Sequence, residues 1–373
     1  MISNMWYFDH NSSTTLHPAV LDNLLKYAMN NSNASSTHTP GQKARSIIEE
    51  ARQNFLKALN CPANVKCIFT ASGTEANNLF IKSFLNKLII LPFTEHLSII
   101  NAASDPIVLP VNISGEVDVH CLDNLLANHA KNNRVIVSIM LANNETGVIQ
   151  PMREISNIVK KYNAILHTDA AQAVGKIPVD FQELGVDAMT VSAHKFGAVY
   201  GCGALLFRDD IELKPLIHGG GQENGLRSGS ENILAISCAA LLMERLSELV
   251  DKMSAVQLLR DNMEREMLNY IDDRLVIVSY GTKRLPNTSC FATANIHKSA
   301  QVAYFDMHNI AISAGSACSS GLLYSSHVLR AMGHSDIIGK NAVRISFGWN
   351  TKKADVEIFL THWKDLCKNF LKI

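Results

Sequence analysis

The sequence predicts an α/β protein with a larger domain built on a mostly parallel seven-stranded sheet and a smaller α+β domain. Short apolar runs alternate with helix-like segments from about residue 67 to residue 207, a rhythm typical of a parallel sheet between helices. Residues 234–270 read as long helices, after which strands and helices become separated. With 373 residues, 47% of them apolar, the chain can form two hydrophobic cores.

Seven apolar runs are the predicted strands of the larger domain: residues 67–70, 88–91, 107–109, 135–140, 164–168, 188–192 and 204–207. Ligands of such sheets bind beyond the carboxyl ends of the strands. Thr70, Asn144, Asp169 and Ser192 fall at or just after such ends. The sequence therefore predicts a ligand site where these residues converge.

The smaller domain is predicted from the residues after the long helices. Its strands are expected at residues 275–278, 290–296, 310–313 and 343–347, and its helices begin at Ala300 and Lys353. The change of pattern places the larger domain at residues 11–255. The smaller domain comprises residues 256–373 together with residues 1–10.

Composition disfavours several classes of protein. The 34 basic and 34 acidic residues balance, which argues against binding to nucleic acid or to an anionic membrane. The first residues lack a secretory signal and no apolar stretch approaches the roughly 20 residues of a membrane span. Eight cysteines and 14 histidines show no metal-binding spacing. We therefore expect a cytoplasmic protein with reduced cysteines, without a bound metal.

Lys195 and Asp169 each follow a predicted strand, 26 residues apart. Pyridoxal phosphate (PLP) chemistry needs such a pair, because lysine can hold the cofactor aldehyde as a Schiff base and aspartate can keep the pyridine nitrogen protonated. A surface lysine and a helix-capping aspartate would give the same spacing. Other residues must decide between these interpretations.

Two further motifs follow strands of the same sheet. Gly73 and Thr74 lie where a strand meets a helix, and backbone amides at a helix N-terminus bind a phosphate dianion. His96 follows the next strand, where an imidazole could stack on a flat ring or transfer protons. A plain helix cap and a structural histidine are the alternatives.

Neutral amides and a glycine-rich segment complete this part of the site. Asn144 and Gln172 could hydrogen-bond a phenolic oxygen without changing its charge, or could be turn residues. The segment 218–221 is rich in glycine, and Arg227 and Ser230 follow it. These donors could approach a phosphate closely, although glycine clusters also mark ordinary loops.

Cys318 and Arg344 lie in the smaller domain. Cys318 is in a run of small residues, 313–320, a context that suggests an accessible thiol able to act as a nucleophile once deprotonated. Arg344 is a charge within an apolar strand. A substrate carboxylate or an internal salt bridge would satisfy its guanidinium.

Together these motifs resemble the group I cysteine desulfurases of the NifS/IscS type, class V aminotransferase-like enzymes of PLP fold type I. The resemblance covers almost the whole chain, and its motifs occur in the order of the family: residues 33–38, 69–78, 94–96, 143–147, 169–172, 192–195, 218–221, 227–230 and 313–320.

The resemblance implies a role for each candidate residue. Lys195 would be the Schiff-base lysine, with Asp169 on the pyridine nitrogen. Gln172 would contact the ring oxygen, His96 would stack on the ring as a catalytic residue, and Asn144 would lie beside the cofactor. The phosphate would be held by Gly73, Thr74, Ser192 and His194, with Ser230 from the second subunit of a homodimer. Asn144 and Arg344 would bind the substrate carboxylate, and Cys318 would accept sulfur.

The implied reaction converts L-cysteine to L-alanine and leaves a persulfide on Cys318, which would supply an iron-sulfur scaffold or sulfur-carrier protein. The sequence departs from the family pattern at Ser230, usually threonine, and at residues 198–200, which are Ala-Val-Tyr instead of Gly-Pro-Lys. A selenocysteine lyase, a related aminotransferase, or a catalytically inactive binding or scaffold protein are the alternatives. A Cys318→Ala variant separates the first interpretation from a transaminase.

Overall fold

The computed structural model describes residues 5–28, 32–130, 134–271, 273–315 and 326–371. The strands there are β1 (Trp6–Tyr7), β2 (Val65–Thr70), β3 (Leu88–Leu91), β4 (Ile107–Val108), β5 (Val135–Ser138), β6 (Ile165–Asp169), β7 (Ala188–Ser192), β8 (Gly203–Arg208), β9 (Leu275–Ile277), β10 (Thr288–Thr293), β11 (Ile310–Ala311) and β12 (Ala342–Ser346). The α-helices are α1 (Pro18–Ala28), α2 (Thr39–Ala58), α3 (Gly73–Lys82), α4 (Leu97–Ile100), α5 (Val119–His129), α6 (Met152–Lys161), α7 (Phe181–Leu184), α8 (Ile233–Met243), α9 (Leu246–Tyr270), α10 (Lys298–Met307), α11 (His327–Ala331), α12 (Asp336–Asn341) and α13 (Lys353–Leu371).

The central sheet has seven strands in the spatial order β2-β8-β7-β6-β5-β3-β4. The strands from β4 through β3, β5 and β6 to β7 are parallel, whereas β8 is antiparallel to both of its neighbours. Every run predicted as a strand of this sheet is a strand, with ends displaced by no more than two residues. The prediction of an α/β fold on a mostly parallel sheet is confirmed.

Helices cover both faces of this sheet, which explains why its strands read as continuous apolar runs. Along β5, Val135 and Val137 belong to one hydrophobic cluster and Ile136 belongs to another. Successive side chains of a strand point to opposite faces. Each face of the sheet therefore has its own packed core. The polar residues of the predicted site lie at the ends of the strands.

The remaining strands form two small sheets. Strands β12, β10 and β9 form an antiparallel sheet, and β1 pairs with β11 in parallel. A separate hydrophobic cluster around Phe359 and Trp363 of α13 includes Phe8, just after β1. Along α9, Leu249 packs in the larger cluster and Met253 in this one. The division at residues 11–255 and 256–373 with 1–10 stays a prediction.

The topology brings distant segments to one edge of the sheet. Because β8 is antiparallel to both β2 and β7, β2 runs in the same direction as the parallel strands. Thr70, Asp169 and Ser192 therefore end their strands at one edge, beside the first turn of α3. Strand β12 carries Arg344. Within the described ranges, no helix is both long enough and apolar enough to cross a membrane.

Candidate active site

Ten predicted site residues line a single cavity of 280 Å³ at this edge. They come from separate sequence motifs: Gly73, Thr74, His96, Asn144, Asp169, Gln172, Ser192, His194, Lys195 and Arg344. Parallel strands that end at one edge explain this convergence. The structure thus brings the residues together, while the role of each stays a prediction.

The two remaining predicted residues are Cys318 and Ser230. Cys318 lies outside the described residues. Ser230 is exposed and does not line the cavity of its own chain. A role for Ser230 in the site would therefore require a second copy of the chain, as the resemblance implies.

One end of the cavity is a cradle formed by Ser72, Gly73, Thr74, Ser192 and His194, here called the strand-end cradle. Ser72 caps α3, with its Oγ accepting a hydrogen bond from the Glu75 amide at 3.2 Å. A Cβ on Gly73 would lie 3.0 Å from the Cβ of Ser192. The close approach of backbone, together with the free amides of a helix N-terminus, provides a site for an anionic group.

His194 lies on a short 3-10 turn, Ala193–Lys195, directly after β7. Its Nδ1 is 3.2 Å from the Ser192 Oγ, and its ring stacks on Tyr200 with centroids 4.8 Å apart. Burial, and then the charges of Lys195 and Lys176, lower the pKa of His194 to about 4. The imidazole is therefore neutral at neutral pH. Tyr200 belongs to the segment that departs from the family pattern, and the stacking shows its contact with the site.

Asp169 ends β6 with both carboxylate oxygens engaged. Oδ2 accepts a hydrogen bond from Asn77 Nδ2 at 2.7 Å, and Oδ1 accepts one from the Ala171 amide at 2.9 Å. The carboxylate therefore has a fixed orientation in the wall of the cavity.

His96 is the N-cap of α4. Its Nδ1 accepts the Ser98 amide at 3.1 Å, which assigns the proton of the neutral ring to Nε2. Behind it, Glu95 is fully buried, and burial followed by the charge of Asp169 raises its pKa well above the ordinary value. Its Oε1 accepts a hydrogen bond from the amide of Met140, a residue of the cavity wall.

Lys195 lies against the N-terminal segment. Its Nζ donates to the carbonyl oxygens of Asn11 at 2.6 Å and of Ser12 at 2.8 Å. Gln172 Nε2 donates to the same Asn11 oxygen at 2.9 Å. The backbone of residues 11 and 12 therefore holds the amine at the cavity before any ligand arrives.

The other end of the cavity is formed by Asn11, Asn144 and Arg344. Together with Asp9, which pairs with Arg344 but does not line the cavity, they are here called the arginine corner. Arg344 is 1% exposed, donates from Nη1 to the Asn144 carbonyl oxygen at 2.8 Å, and forms an ion pair through Nη2 with Asp9. Its Nε is buried without a hydrogen-bond partner. An internal salt bridge, one of the two alternatives from the sequence, is thus present.

Several residues of the cavity were missed at the sequence level: Asn11, Ser12, Asn77, Leu97, Met140, Ala142, Glu145, Ala171 and His327. Asn77 follows Gly73 by four residues on α3 and so shares its face, a signal that could have identified it. Asn11 offers no such signal, because its importance depends on contacts with segments far along the chain.

Three comparisons place the chain among known proteins. The family model Aminotransferase class-V matches residues 6–359. The IscS-like cysteine desulfurase of Mycobacterium tuberculosis is 35% identical over 375 residues, covering 95% of this chain and 94% of that protein. A cysteine desulfurase IscS from Dictyoglomus turgidum is 36% identical over 369 residues, covering 95% of this chain and 92% of that protein.

The fold is shared with solved structures. A NifS-like protein from Rickettsia africae has a TM-score of 0.91 at 36% identity, covering 99% of this chain and 100% of that one. SspA, solved in complex with cysteine, has a TM-score of 0.76 at 27% identity, covering 91% of this chain and 98% of that one. The similarity extends over nearly the full length of each protein.

Proposed function

This chain belongs to the aminotransferase class-V family, and from that premise we propose that it is a PLP-dependent cysteine desulfurase. It converts L-cysteine to L-alanine and transfers the sulfur to Cys318. The observation that carries the proposal is the convergence of Lys195, Asp169 and Arg344 on one cavity. A lysine amine, a fixed carboxylate and a guanidinium are the groups that an amino-acid reaction with this cofactor requires.

The residues present fit PLP. The strand-end cradle offers the N-terminus of α3 and the Ser192 hydroxyl to a phosphate, and a side chain on Gly73 would fill that space. The Asp169 carboxylate suits a protonated pyridine nitrogen. When bound, PLP supplies a conjugated ring that accepts the electron pair left when the substrate loses its α-proton.

The chain's own groups account for substrate binding and proton movement. Arg344 lines the cavity and binds the substrate carboxylate through its guanidinium, and Asn144 lies beside it. Lys195 Nζ accepts the α-proton as general base. His96 presents its Nε2 side to the cavity, because Nδ1 is occupied by Ser98.

Sulfur transfer requires Cys318 as the nucleophile. Its thiolate attacks the substrate sulfur, so that an S–S bond forms on the enzyme while the Cβ–S bond of the substrate breaks. The carbon skeleton takes up a proton and leaves as alanine. A thiol reductant then releases sulfide, or an acceptor protein takes the sulfur for iron-sulfur cluster or thio-cofactor assembly.

We also propose that the protein acts as a homodimer. Ser230 is exposed and outside the cavity of its own chain, which suits a hydroxyl donated to the site of a second copy. Light scattering on the purified protein measures its mass, and a monomer at working concentration contradicts this proposal.

The function is tested by incubating the PLP-loaded protein with L-cysteine and a reductant and assaying alanine and sulfide. We expect equal amounts of both products, lost in Cys318→Ala and kept in the matched control Cys121→Ala, whose half-buried thiol lies on α5 away from the cavity. Alanine formation that persists unchanged in Cys318→Ala would contradict sulfur transfer through this cysteine.

A further inference from the structure

Lys176 is a buried lysine that the proposed mechanism does not use. It is 5% exposed and follows Gln172 by four residues in the turns after β6. Its Nζ donates to the Gln172 Oε1 at 2.5 Å and to the Asn11 Oδ1 at 3.0 Å. Both acceptors are neutral amide oxygens, and both side chains lie in the wall of the cavity. A buried lysine with two such partners is unusual, because lysine is rarely buried unless it is paired with a charge.

The surroundings of Lys176 disfavour its charged form. Burial, and then the positive charges of Lys195 and Arg344, lower the pKa of Lys176 well below its ordinary value. The Lys176 amine donates one hydrogen bond to Gln172 and one to Asn11, and so lies between the two side chains. Lys176 therefore acts on its neighbours through these two contacts, which determine their orientation.

The Gln172 amide is oriented by these contacts. Its oxygen accepts from Lys176, while its Nε2 donates to the Asn11 carbonyl oxygen at 2.9 Å. An amide nitrogen has a second N–H, and Gln172 lines the cavity. The oxygen and nitrogen ends of an amide have nearly the same shape, so its orientation depends on such partners.

We propose that Lys176 is a positioning residue that holds the Gln172 amide with its N–H group, rather than its oxygen, toward the ligand. The inference rests on the proposed function, since the group that needs a donor is the phenolic oxygen of PLP. A donor at that oxygen stabilises its ionised form. Without Lys176, the amide can turn and present its oxygen, which would repel the phenolate.

The test is a double-mutant cycle with an optical readout. The variants are Lys176→Met, Gln172→Ala and the double variant, each loaded with PLP, and the measurement is the pH titration of the visible absorbance of the bound cofactor. Loss of one hydrogen bond of about 1 kcal/mol corresponds to a shift of about 0.7 pH unit. We expect Lys176→Met to shift the midpoint in the same direction as Gln172→Ala, and to add nothing in the Gln172→Ala background.

Two outcomes overturn the inference alone. One is an unchanged midpoint in Lys176→Met; the other is an equal shift from Lys176→Met with and without Gln172, which would indicate a general effect of the buried charge. Lys176→Gln is the second variant if methionine prevents folding. Its shorter polar side chain occupies part of the space but does not reach the positions at which Lys176 Nζ contacts Gln172 and Asn11. We expect it to shift the midpoint in the same direction, and an unchanged midpoint again overturns the inference. A wild-type protein that develops no visible band with PLP overturns the proposed function, and this inference with it.

Discussion

The two ends of the cavity are built in different ways. The strand-end cradle takes its shape from residues close together in the chain, where a strand turns into α3 and where β7 turns into the 3-10 segment. The arginine corner joins Asp9 to Arg344, 335 residues apart in the chain. Local backbone geometry therefore forms one end, and long-range side-chain pairing forms the other.

The two ends also differ in burial. Thr74 is exposed, and Ser72 and His194 are half-buried, whereas Asn11 and Arg344 are each 1% exposed. Electrostatic interactions strengthen as water is excluded. The difference teaches that an accessible helix N-terminus can bind an anion mainly through its backbone amides. A guanidinium in the interior instead needs side-chain and carbonyl partners that are already in position.

The largest expected effect comes from Lys195, which connects the two ends through its hydrogen bonds to residues 11 and 12. Lys195→Ala is expected to reduce alanine formation from cysteine by about 10³-fold or more, because the general base is lost. Steady-state assays measure it. The control is Lys43→Ala, an exposed lysine on α2. Activity within tenfold of the unchanged protein would show that another group removes the proton.

Acid unfolding tests one histidine near each end of the cavity. Burial, and then the charge of Lys176, lower the pKa of His10, between Asp9 and Asn11, to about 4 in the folded protein, against about 6.5 in the unfolded chain. The unfolded state then binds the extra proton between these values. We therefore expect His10 to reduce the free energy of unfolding by about 3 kcal/mol as pH falls from about 6.5 to about 4.

Urea titrations of the cofactor-free protein at several pH values measure this slope. His10→Asn and His194→Asn should each remove a similar part of the acid sensitivity, because burial lowers the pKa of both imidazoles to about 4. A much smaller effect of His194→Asn would contradict a lowered pKa at the strand-end cradle.

Arg344→Met should separate substrate binding from cofactor binding. Loss of hydrogen bonds to a charged carboxylate, each about 1.5–3 kcal/mol, predicts a fall in kcat/KM for L-cysteine of about 10²-fold. The Kd for PLP should stay within a few-fold, because the cradle is at the other end. Pairing the variant with Asp9→Asn avoids leaving the Asp9 carboxylate without its partner. A large loss of PLP affinity would show that the two ends are not independent.

Ser192→Ala tests cofactor binding instead of substrate binding, and its expected effect is the smallest. Loss of one hydroxyl donor to a phosphate should raise the Kd for PLP by about tenfold. The KM for L-cysteine at saturating PLP should not change. Ser289→Ala is a matched control, since the Ser289 hydroxyl is buried in β10 without a hydrogen-bond partner. A raised KM with unchanged PLP affinity would assign Ser192 to the substrate instead.

The sheet and most of the cavity wall could be predicted from sequence for one physical reason. Strands buried on both faces appear as uninterrupted apolar runs, and polar residues directly after those runs must lie at one edge of the sheet. Lys195, Asp169 and His96 were predicted in this way, and they line one cavity. The family resemblance added the expected roles, which depend on reaction chemistry that spacing alone does not reveal.

The sequence by itself determined the strands of the central sheet, a helix start near Thr74, one residue from the observed start at Gly73, and the residues that follow the strand ends. These depend on neighbouring residues and on backbone preferences. Only the tertiary structure decided which donors meet which acceptors: Asp9 with Arg344, Asn77 with Asp169, and Lys176 with Gln172 and Asn11. The Asp9–Arg344, Asn77–Asp169 and Lys176–Asn11 contacts join side chains from distant segments. These contacts form only when the sheet and the helices on its two faces have packed together, and no pattern of sequence spacing encodes them.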